Sequence, residues 1–325
     1  MGPWRRPAAL AWLLWPASLA FRAVVTARRM LYALRLLKSA HPGVPVIVVG
    51  NITVGGSGKT PLVLWIAEFL RRQGRSPAIV SRGYGSVGAG PREAAMVSEP
   101  AEVGDEPVVM ARRSGCPVWV GEDRAAVARA LLERHREVDV LILDDGLQHY
   151  ALRRDIEIAV LDSRGLGNGR LLPAGPLREP ASRLRSVDAV VANGLEWPGA
   201  FAMRLEGSLL HRMTDANDRR PASAFAGETL HAVAGIGNPE RFFLHLRAIG
   251  LRIEPHAFPD HHAFRPEELV FGDGRALVMT EKDAVKLRRA AQPHWWVLPV
   301  SAELAPRFPE WLLRKLNECS RSKAA

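Results

Sequence analysis

The sequence predicts a doubly wound, mostly parallel α/β sheet, a second and smaller α/β unit, and an N-terminal helix set apart from both. Three observations carry this. From residue 44 onward, short β-branched runs alternate with helical stretches, and several runs are nearly all apolar, as strands covered on both faces must be. A polar, turn-rich break at 203–226 interrupts the alternation, which then resumes. No Asp or Glu precedes Glu68, whereas residues 1–67 hold eight Lys or Arg, so the first segment differs in kind from the rest.

Composition bounds the function classes. The chain has 325 residues, 47% apolar and 24% charged, enough for an ordinary core in about two domains, and disorder is excluded as the main state. The net charge is +10, yet residues 68–325 carry 36 basic and 34 acidic side chains. The excess therefore lies beside an apolar stretch rather than among aromatics of a folded surface, which argues for anionic lipid and against nucleic acid. Cys116 and Cys319 are the only cysteines, too few for a disulfide framework or a Cys-based zinc cluster, and they fit a reducing compartment.

Residues 1–40 read as a membrane-anchor helical segment. Residues 7–21 are apolar apart from Ser18, too short for an ordinary span of roughly 20 residues. Trp4, Trp12 and Trp15 suit a headgroup boundary, and Arg22, Arg28, Arg29, Arg35 and Lys38 interrupt or flank the apolar residues. Two other readings stand beside this one. Arg5 and Arg6, residues 8–15 and Ser18-Leu19-Ala20 have the layout of a cleaved signal peptide. An ordinary core helix with rim arginines is the other.

The body follows in order. Strands are expected at Val44–Val49, Ala78–Ser81, Val118–Val120, Val138–Leu143, Ile156–Leu161 and Val187–Ala192, with helices over Pro61–Gln73 and Asp123–Arg136. These make a core domain over 41–202. Residues 203–226 are expected to be an extended linker. Beyond them LHAVAGI, ALVMT and WWVLPV read as strands, and PERFFLHLRAIG and EKDAVKLRRAA as helices, giving a C-terminal domain over 227–325.

The strongest local signal is PVIVVGNITVGGSGKTPLVLWIAEFL, a buried strand, a glycine-rich loop and a new helix. Thr53, Val54, Gly55, Gly56, Ser57, Gly58, Lys59 and Thr60 form a phosphate loop of the P-loop NTPase type. The glycines let backbone N–H groups curl toward a phosphate, and the helix N-terminus adds its dipole. Lys59 reaches the β- and γ-phosphates of a nucleotide, and the Thr60 hydroxyl suits Mg²⁺. Thr53 stands where the strict pattern has glycine. A partner carboxylate for the metal is expected at a second strand's end, where Val138–Leu143 runs into Asp144-Asp145-Gly146; one acid is expected on the metal and one elsewhere. Thr280-Glu281-Lys282-Asp283 lacks the spacing of a guanine-reading N-K-x-D element, which favours ATP over GTP.

GNITVGGSGKTP, SRGYG, GDEP, DDGLQH, GLGNGRLLPAGPLREP and PDHH together resemble the tetraacyldisaccharide 4′-kinases of lipid A biosynthesis, over about residues 44–283. LLPAGPLREP and GNITVGG are the specific strings, and Thr53 is that family's own form of the loop. The resemblance implies ATP- and Mg²⁺-dependent phosphorylation of the 4′-hydroxyl of a tetraacylated glucosamine disaccharide 1-phosphate. It implies that Lys59 and Thr60 hold phosphates and metal, that Asp144, and Asp145 with it, lie near Mg²⁺, and that Arg178 neutralises phosphate charge beside a magnesium-side Glu179. It implies that Asp105 accepts the sugar hydroxyl's proton, with His261 tuning or relaying it, and that Tyr84, Arg124, Gln148 and His149 contact the sugar. His261 and its neighbour His262 cannot share one face of extended chain, so one should face the site and one be structural.

The expected partners are the glycolipid substrate and a membrane surface bearing anionic lipid, with no nucleic acid and no obligate protein partner. The expected location is the cytoplasmic face of a bacterial inner membrane, since the flanking arginines should stay cytoplasmic. The competing class is a membrane-recruited P-loop ATPase switch acting on partner proteins. Switches of the deviant-loop type place a Lys where this chain has Val54, which counts against it.

Overall fold

The computed structural model describes residues 8–88 and 90–324. Trp4, Arg5 and Arg6 lie outside the described residues. Helices α1 (Ala8–Leu13) and α2 (Trp15–Ala33) precede β1 (Val46–Gly50), α3 (Lys59–Arg72), β2 (Pro77–Ser81), β3 (Arg92–Glu93), α4 (Pro100–Val103), α5 (Asp105–Ser114), β4 (Val118–Val120), α6 (Arg124–Arg134), β5 (Val140–Asp144), β6 (Ile156–Asp162), β7 (Ala189–Asn193) and β8 (Phe201–Glu206). The chain then forms β9 (Leu209–Arg212), β10 (Arg219–Pro221), β11 (Thr229–Ala234), α7 (Pro239–Ala248), β12 (Arg252–Ala257), β13 (Leu277–Thr280), α8 (Glu281–Ala284) and β14 (Trp295–Leu298). It ends with β15 (Ser301–Leu304) and α9 (Arg307–Ala324).

The larger sheet has the order β15-β8-β7-β6-β1-β5-β2-β4-β3, parallel from β8 to β4 with an antiparallel strand at each edge. Its central strands are buried on both faces because helices cover both. On one face Leu62, Val63, Ile66 and Leu70 of α3 and Phe308, Leu312 and Leu316 of α9 pack on Ile47, Val49, Ile79 and Ile142. On the other, Val127, Ala128 and Leu131 of α6 meet Val46, Val48, Val80 and Leu143. Each such aliphatic side chain contributes about 1.5–3 kcal/mol on burial. Asp123 caps α6 by accepting from the Ala125 and Ala126 N–H groups.

The smaller sheet runs β10-β9-β14-β13-β11-β12. It corrects the expected domain limits. Residues 203–226 are not a linker: β8 completes the first sheet, β9 and β10 form a hairpin on the second, and TDAND is the turn between them. Nor does the second unit extend to the C-terminus, since β15 and α9 return to the first. The alternating pattern of MRLE marks a strand one in from the sheet edge with one wet face, which composition confuses with a connector. The chain thus crosses between units twice, at Gly207 and at Pro299–Val300, and the two crossings touch.

Helix α2 lies on the body along one stripe, Leu14, Ser18, Phe21, Val25, Arg29 and Tyr32. Ser18 Oγ donates to the Leu171 carbonyl at 2.9 Å, and Phe21 packs on the core. Trp12, Leu13, Trp15, Leu19, Val24, Met30, Leu31, Leu34 and Leu36 remain exposed. Among the described residues, no helix is long and apolar enough to cross a membrane.

Candidate active site

Strand β1 delivers the phosphate loop to the carboxyl edge of the sheet, where parallel α/β folds place their ligands. Gly55 and Gly58 sit at φ +89° and +90°, a left-handed backbone that glycine adopts without a Cβ penalty. A Cβ on Gly58 would also strike the Asn193 amide. The Asn51 amide braces the loop from within, donating to Ser57 Oγ at 3.1 Å and the Gly55 carbonyl at 3.3 Å. From outside, Arg164 donates to the Gly56 carbonyl at 2.9 Å while its Nε is held by Asp162 at 2.8 Å. Because peptides are trans and planar, this turns the Ser57 N–H away from Arg164. Gly55 through Thr60 line a cleft of about 650 Å³ that continues onto the second unit.

Thr53 is placed away from the cleft, and Val54 lines it but with its N–H spent elsewhere. Thr53 is buried and bridged to Leu177, and the Val54 N–H donates to the Pro176 carbonyl at 2.9 Å. The PLRE string is therefore stitched along the loop, and it brings Arg178 to the site. Arg178 grips Asp145 through both oxygens, at 2.8 and 3.0 Å, and also donates to Asn51 Oδ1. Lys59 Nζ lies 3.3 Å from Asp145 Oδ1 and 3.3 Å from Asn51 Oδ1. Burial alone would raise the Asp145 pKa, but Lys59 and Arg178 hold it far below the usual carboxylate range. Asp145 occupies φ +50°, a strained value for a residue with a Cβ.

Asp144 is the opposite case. Its Oδ2 accepts from Ser81 Oγ at 3.1 Å, and its Oδ1 is buried with no hydrogen-bond partner among the described residues. Burial, then the nearby Glu106, push its pKa up to about 7. A buried carboxylate oxygen with no donor, lining the same cleft as Thr60, fits a divalent cation. Asp145, already committed to two cations, does not fit one.

The second unit supplies the opposite wall. Asp105 heads α5 and is 6% exposed; Oδ1 accepts from the Glu106 N–H at 2.8 Å, and Oδ2 lies 3.0 Å from His261 Nδ1 and 3.7 Å from Lys286 Nζ. Burial raises the Asp105 pKa, but the hydrogen bond from His261 and the charge of Lys282 bring it down to about 2. The same hydrogen bond raises the His261 pKa, against the effect of burial. His261 faces the cleft with φ +59° and packs against Tyr84 with the rings tilted, centroids 4.9 Å apart. His262 turns away to Glu268 at 3.0 Å and packs on Phe258 and Phe264. Lys282 pairs with Glu106, and Arg113 with Glu281 at 2.7 Å, so α5 is clasped to the second unit by charges.

Besides Thr53, five expected residues are absent from the lining of this cleft: Asp105 lies behind His261, which does line it, and the other four lie elsewhere. Glu179 is fully buried: Gln148 and Tyr150 donate to its two oxygens at 2.8 and 2.7 Å, and Arg183 and Arg29 lie 3.4 and 3.8 Å away. Its lone pairs are committed, so it is an internal anion rather than a metal ligand. Gln148 is spent on Glu179 and the Asn51 carbonyl. His149 is absent from the cleft lining, and burial lowers its pKa to about 4. Arg124 is buried and donates to the Gly121 carbonyl at 2.7 Å. Arg29 likewise turns inward instead of flanking the anchor.

Sequence reasoning missed Asn51, Arg164, Asn193, Glu106 and Arg241. Asn193 Nδ2 donates to the Ser57 carbonyl at 3.0 Å, and its Oδ1 accepts from Arg241 of α7, which brings a second-unit cation to the phosphate loop. Arg164 just after β6 and Asn193 at the end of β7 lie at the carboxyl edge, the position that could have flagged them.

Known proteins bear on this geometry. The profile of the Tetraacyldisaccharide-1-P 4′-kinase family matches residues 10–317. The tetraacyldisaccharide 4′-kinase of Nitrosococcus oceani is 49% identical over 96% of this chain and 92% of its own length. That of Dechloromonas aromatica is 50% identical over 96% of this chain and 94% of its own. Among solved structures, the apo-form LpxK of Aquifex aeolicus in complex with ATP superposes with a TM-score of 0.80 at 30% identity, covering 94% of this chain and 99% of that one.

Proposed function

This chain belongs to the tetraacyldisaccharide-1-phosphate 4′-kinase family, and we propose that the cleft between its two units is where that family's reaction takes place. The chain is an ATP-dependent kinase of lipid A biosynthesis that phosphorylates the 4′-position of a tetraacylated disaccharide 1-phosphate. The alternative of a protein-directed ATPase switch is not favoured. The observation that carries the site assignment is the meeting of the phosphate loop, across one cleft, with His261, whose Nδ1 is held from behind by Asp105.

In this reading Gly55 to Thr60 cradle the ATP phosphates, and Lys59 and Arg178 neutralise charge as the γ-phosphoryl moves. Asp145 orients those two cations. Asp144 and Thr60 would hold Mg²⁺, which when bound supplies charge neutralisation on the phosphate oxygens. The Asp105–His261 pair takes the proton of the attacking sugar hydroxyl. Asp105 alone is a weak base, while the imidazole it orients has a proton affinity suited to neutral pH. The pair titrates as one unit, with His261 on the cleft side. Tyr84, beside His261, is the sugar contact retained from the sequence.

The location follows from the same reading. Exposed Trp12, Leu13, Trp15, Val24, Leu34 and Leu36 form an apolar surface on α1, α2 and the residues just after, near the exposed cations Arg22, Arg28, Arg35 and Lys38. That combination supports a helix lying in an anionic leaflet, at the cytoplasmic face of the inner membrane where the acylated acceptor resides. The assignment is tested by transfer of labelled γ-phosphate onto the acylated disaccharide 1-phosphate in detergent micelles, with and without Mg²⁺. Transfer should require Mg²⁺ and be lost in Asp105→Ala with ATP binding kept. Near-normal transfer by that variant would reject the pair as the proton acceptor.

A further inference from the structure

Away from the cleft, the smaller sheet carries a second group of chemically capable side chains. Strands β11 and β12 are parallel neighbours at the edge of that sheet, with His231 opposite Glu254 and Val233 opposite His256. The two-residue period of a strand puts His231, Glu254 and His256 on one face. His231 Nδ1 lies 2.9 Å from His256 Nε2, Glu254 Oε2 lies 3.9 Å from His231 Nδ1, and Glu254 Oε1 lies 3.9 Å from His256 Nε2. One donor atom from each residue thus falls within 4.8 Å of the other two.

The surroundings fix the His231 donor in a ligating state. Both Asp273 oxygens lie 3.1 Å from His231 Nε2, so that nitrogen carries the proton and Nδ1 presents its lone pair to His256. Arg275 donates to Glu254 Oε2 at 2.6 Å and to Asp273 Oδ2 at 2.5 Å, which positions both carboxylates and leaves Glu254 Oε1 facing His256. Phe271 stacks on the two rings, centroids 3.9 and 4.2 Å away, and closes one side. His231 is itself 2% exposed. A carboxylate behind a buried histidine whose free nitrogen faces a second histidine is the outer-shell arrangement of histidine metal centres.

We propose that His231, Glu254 and His256 form a binding site for one divalent transition-metal ion of the zinc type. Tetrahedral Zn²⁺ with N and O ligands at about 2.0–2.2 Å separates its donors by roughly 3.3 Å; the two ring nitrogens are 2.9 Å apart, and each has a different Glu254 oxygen 3.9 Å away, so a turn of that exposed carboxylate would bring one oxygen to both. Two imidazoles and one carboxylate select zinc-like ions over Mg²⁺, which prefers oxygen. On binding, the proton between the rings passes to His256 Nδ1, so both imidazoles stay neutral. Strand β11 leads into the Gly235–Asn238 loop and β12 into Asp260–His261, the second unit's two contributions to the cleft. The ion would clip those strands together without taking part in phosphoryl transfer.

The test uses the full chain, freed of metal by chelation and titrated with Zn²⁺ against a chromophoric chelator. Wild type should take up one Zn²⁺ per chain and melt at a higher temperature with it. His256→Ala and the more exposed Glu254→Gln should each weaken binding at least tenfold, and Asp273→Asn roughly 10–100-fold, with their circular dichroism unchanged. His261→Ala should bind as wild type. Failure of the wild-type chain to bind Zn²⁺, equal binding by the His256 and Glu254 variants, or loss of binding in His261→Ala would each overturn the proposal.

Discussion

His261 Nδ1 lies 3.0 Å from Asp105 Oδ2, although the two residues are 156 positions apart and belong to different units. In the proposed mechanism their contact makes catalysis conditional on the second unit's position. Asp105→Ala should lower phosphate transfer by about 10²–10⁴-fold, while ATP affinity changes little, because Asp105 is not among the residues that line the phosphate loop. Single-turnover transfer together with nucleotide binding checks this. Unchanged transfer, or parallel loss of ATP binding, would contradict it.

The pair also predicts opposite pH trends for activity and for stability. The imidazole accepts a proton only when neutral, so kcat/KM should rise with pH through the raised His261 pKa and flatten in His261→Ala. Stability runs the other way. A histidine whose folded pKa is raised stabilises fully below its unfolded pKa and loses that contribution as pH rises through the folded value. Asp105, held down to about 2, contributes above its unfolded value and loses it only in strong acid. The ion pair therefore supports the fold most between about pH 4 and 6.5. The difference in melting temperature between wild type and His261→Ala should be larger at pH 5.5 than at pH 8.5; a constant difference would count against the pair.

Asp144 should give a variant that is more stable and inactive. Its carboxylate is buried with one oxygen lacking a donor, and its pKa is pushed up to about 7. An acid with a raised folded pKa costs stability increasingly as pH climbs from its unfolded value to that folded value. Asp144→Asn keeps an oxygen for Ser81 Oγ and removes the charge. Without Mg²⁺ at pH 8 it should melt above wild type, yet show no Mg²⁺-dependent gain in transfer. A lower melting temperature, or retained Mg²⁺ response, would show that this carboxylate is not waiting for a cation.

Much of this was legible in the sequence for a physical reason. VIVVG and VLILD are apolar throughout because both faces of their strands are covered, and the loop glycines are demanded by a left-handed backbone. What was not legible depends on long-range placement. Asp144 and Asp145 are adjacent and chemically alike, and only packing decides that one meets Lys59 and Arg178 while the other meets Ser81. Glu179 follows Arg178 directly, yet the two point to opposite sides of the PLRE segment. The strand β15 carries no signal that it will return to the first sheet, since pairing of an edge strand is chosen by its partner.

Glu179 separates structure from metal chemistry. With Arg183 and Arg29 near it and Tyr150 and Gln148 bonded to it, Glu179→Ala leaves a buried arginine partly unpaired. Arg183 keeps its hydrogen bond to Glu157, so the loss should fall below the about 3–5 kcal/mol of a buried charge left with no partner. The Mg²⁺ concentration for half-maximal transfer should stay within twofold of wild type in whatever fraction folds, and the milder Glu179→Gln should show the same. A large rise in that concentration would restore Glu179 to the metal.

The exposed side of the N-terminal helix predicts how the chain meets its acceptor. Helix α2 spends its inward stripe on the body through Ser18, Phe21 and Arg29, so under the proposed membrane docking lipid contact falls to the residues that stay outside. Leu34 and Leu36, 65% and 68% exposed, sit at its end beside Arg35, where apolar burial and headgroup attraction act together. Burying one leucine is worth about 1.5–3 kcal/mol, so replacing both by glutamate, which adds repulsion from anionic headgroups, should lower partitioning by at least tenfold. Co-sedimentation with vesicles of phosphatidylglycerol and phosphatidylethanolamine measures it. Neither side chain is buried in the body, so melting temperature and transfer to a detergent-dispersed acceptor should hold. Transfer to acceptor embedded in vesicles should fall with binding. Unchanged sedimentation would mean that another surface holds the kinase to its substrate.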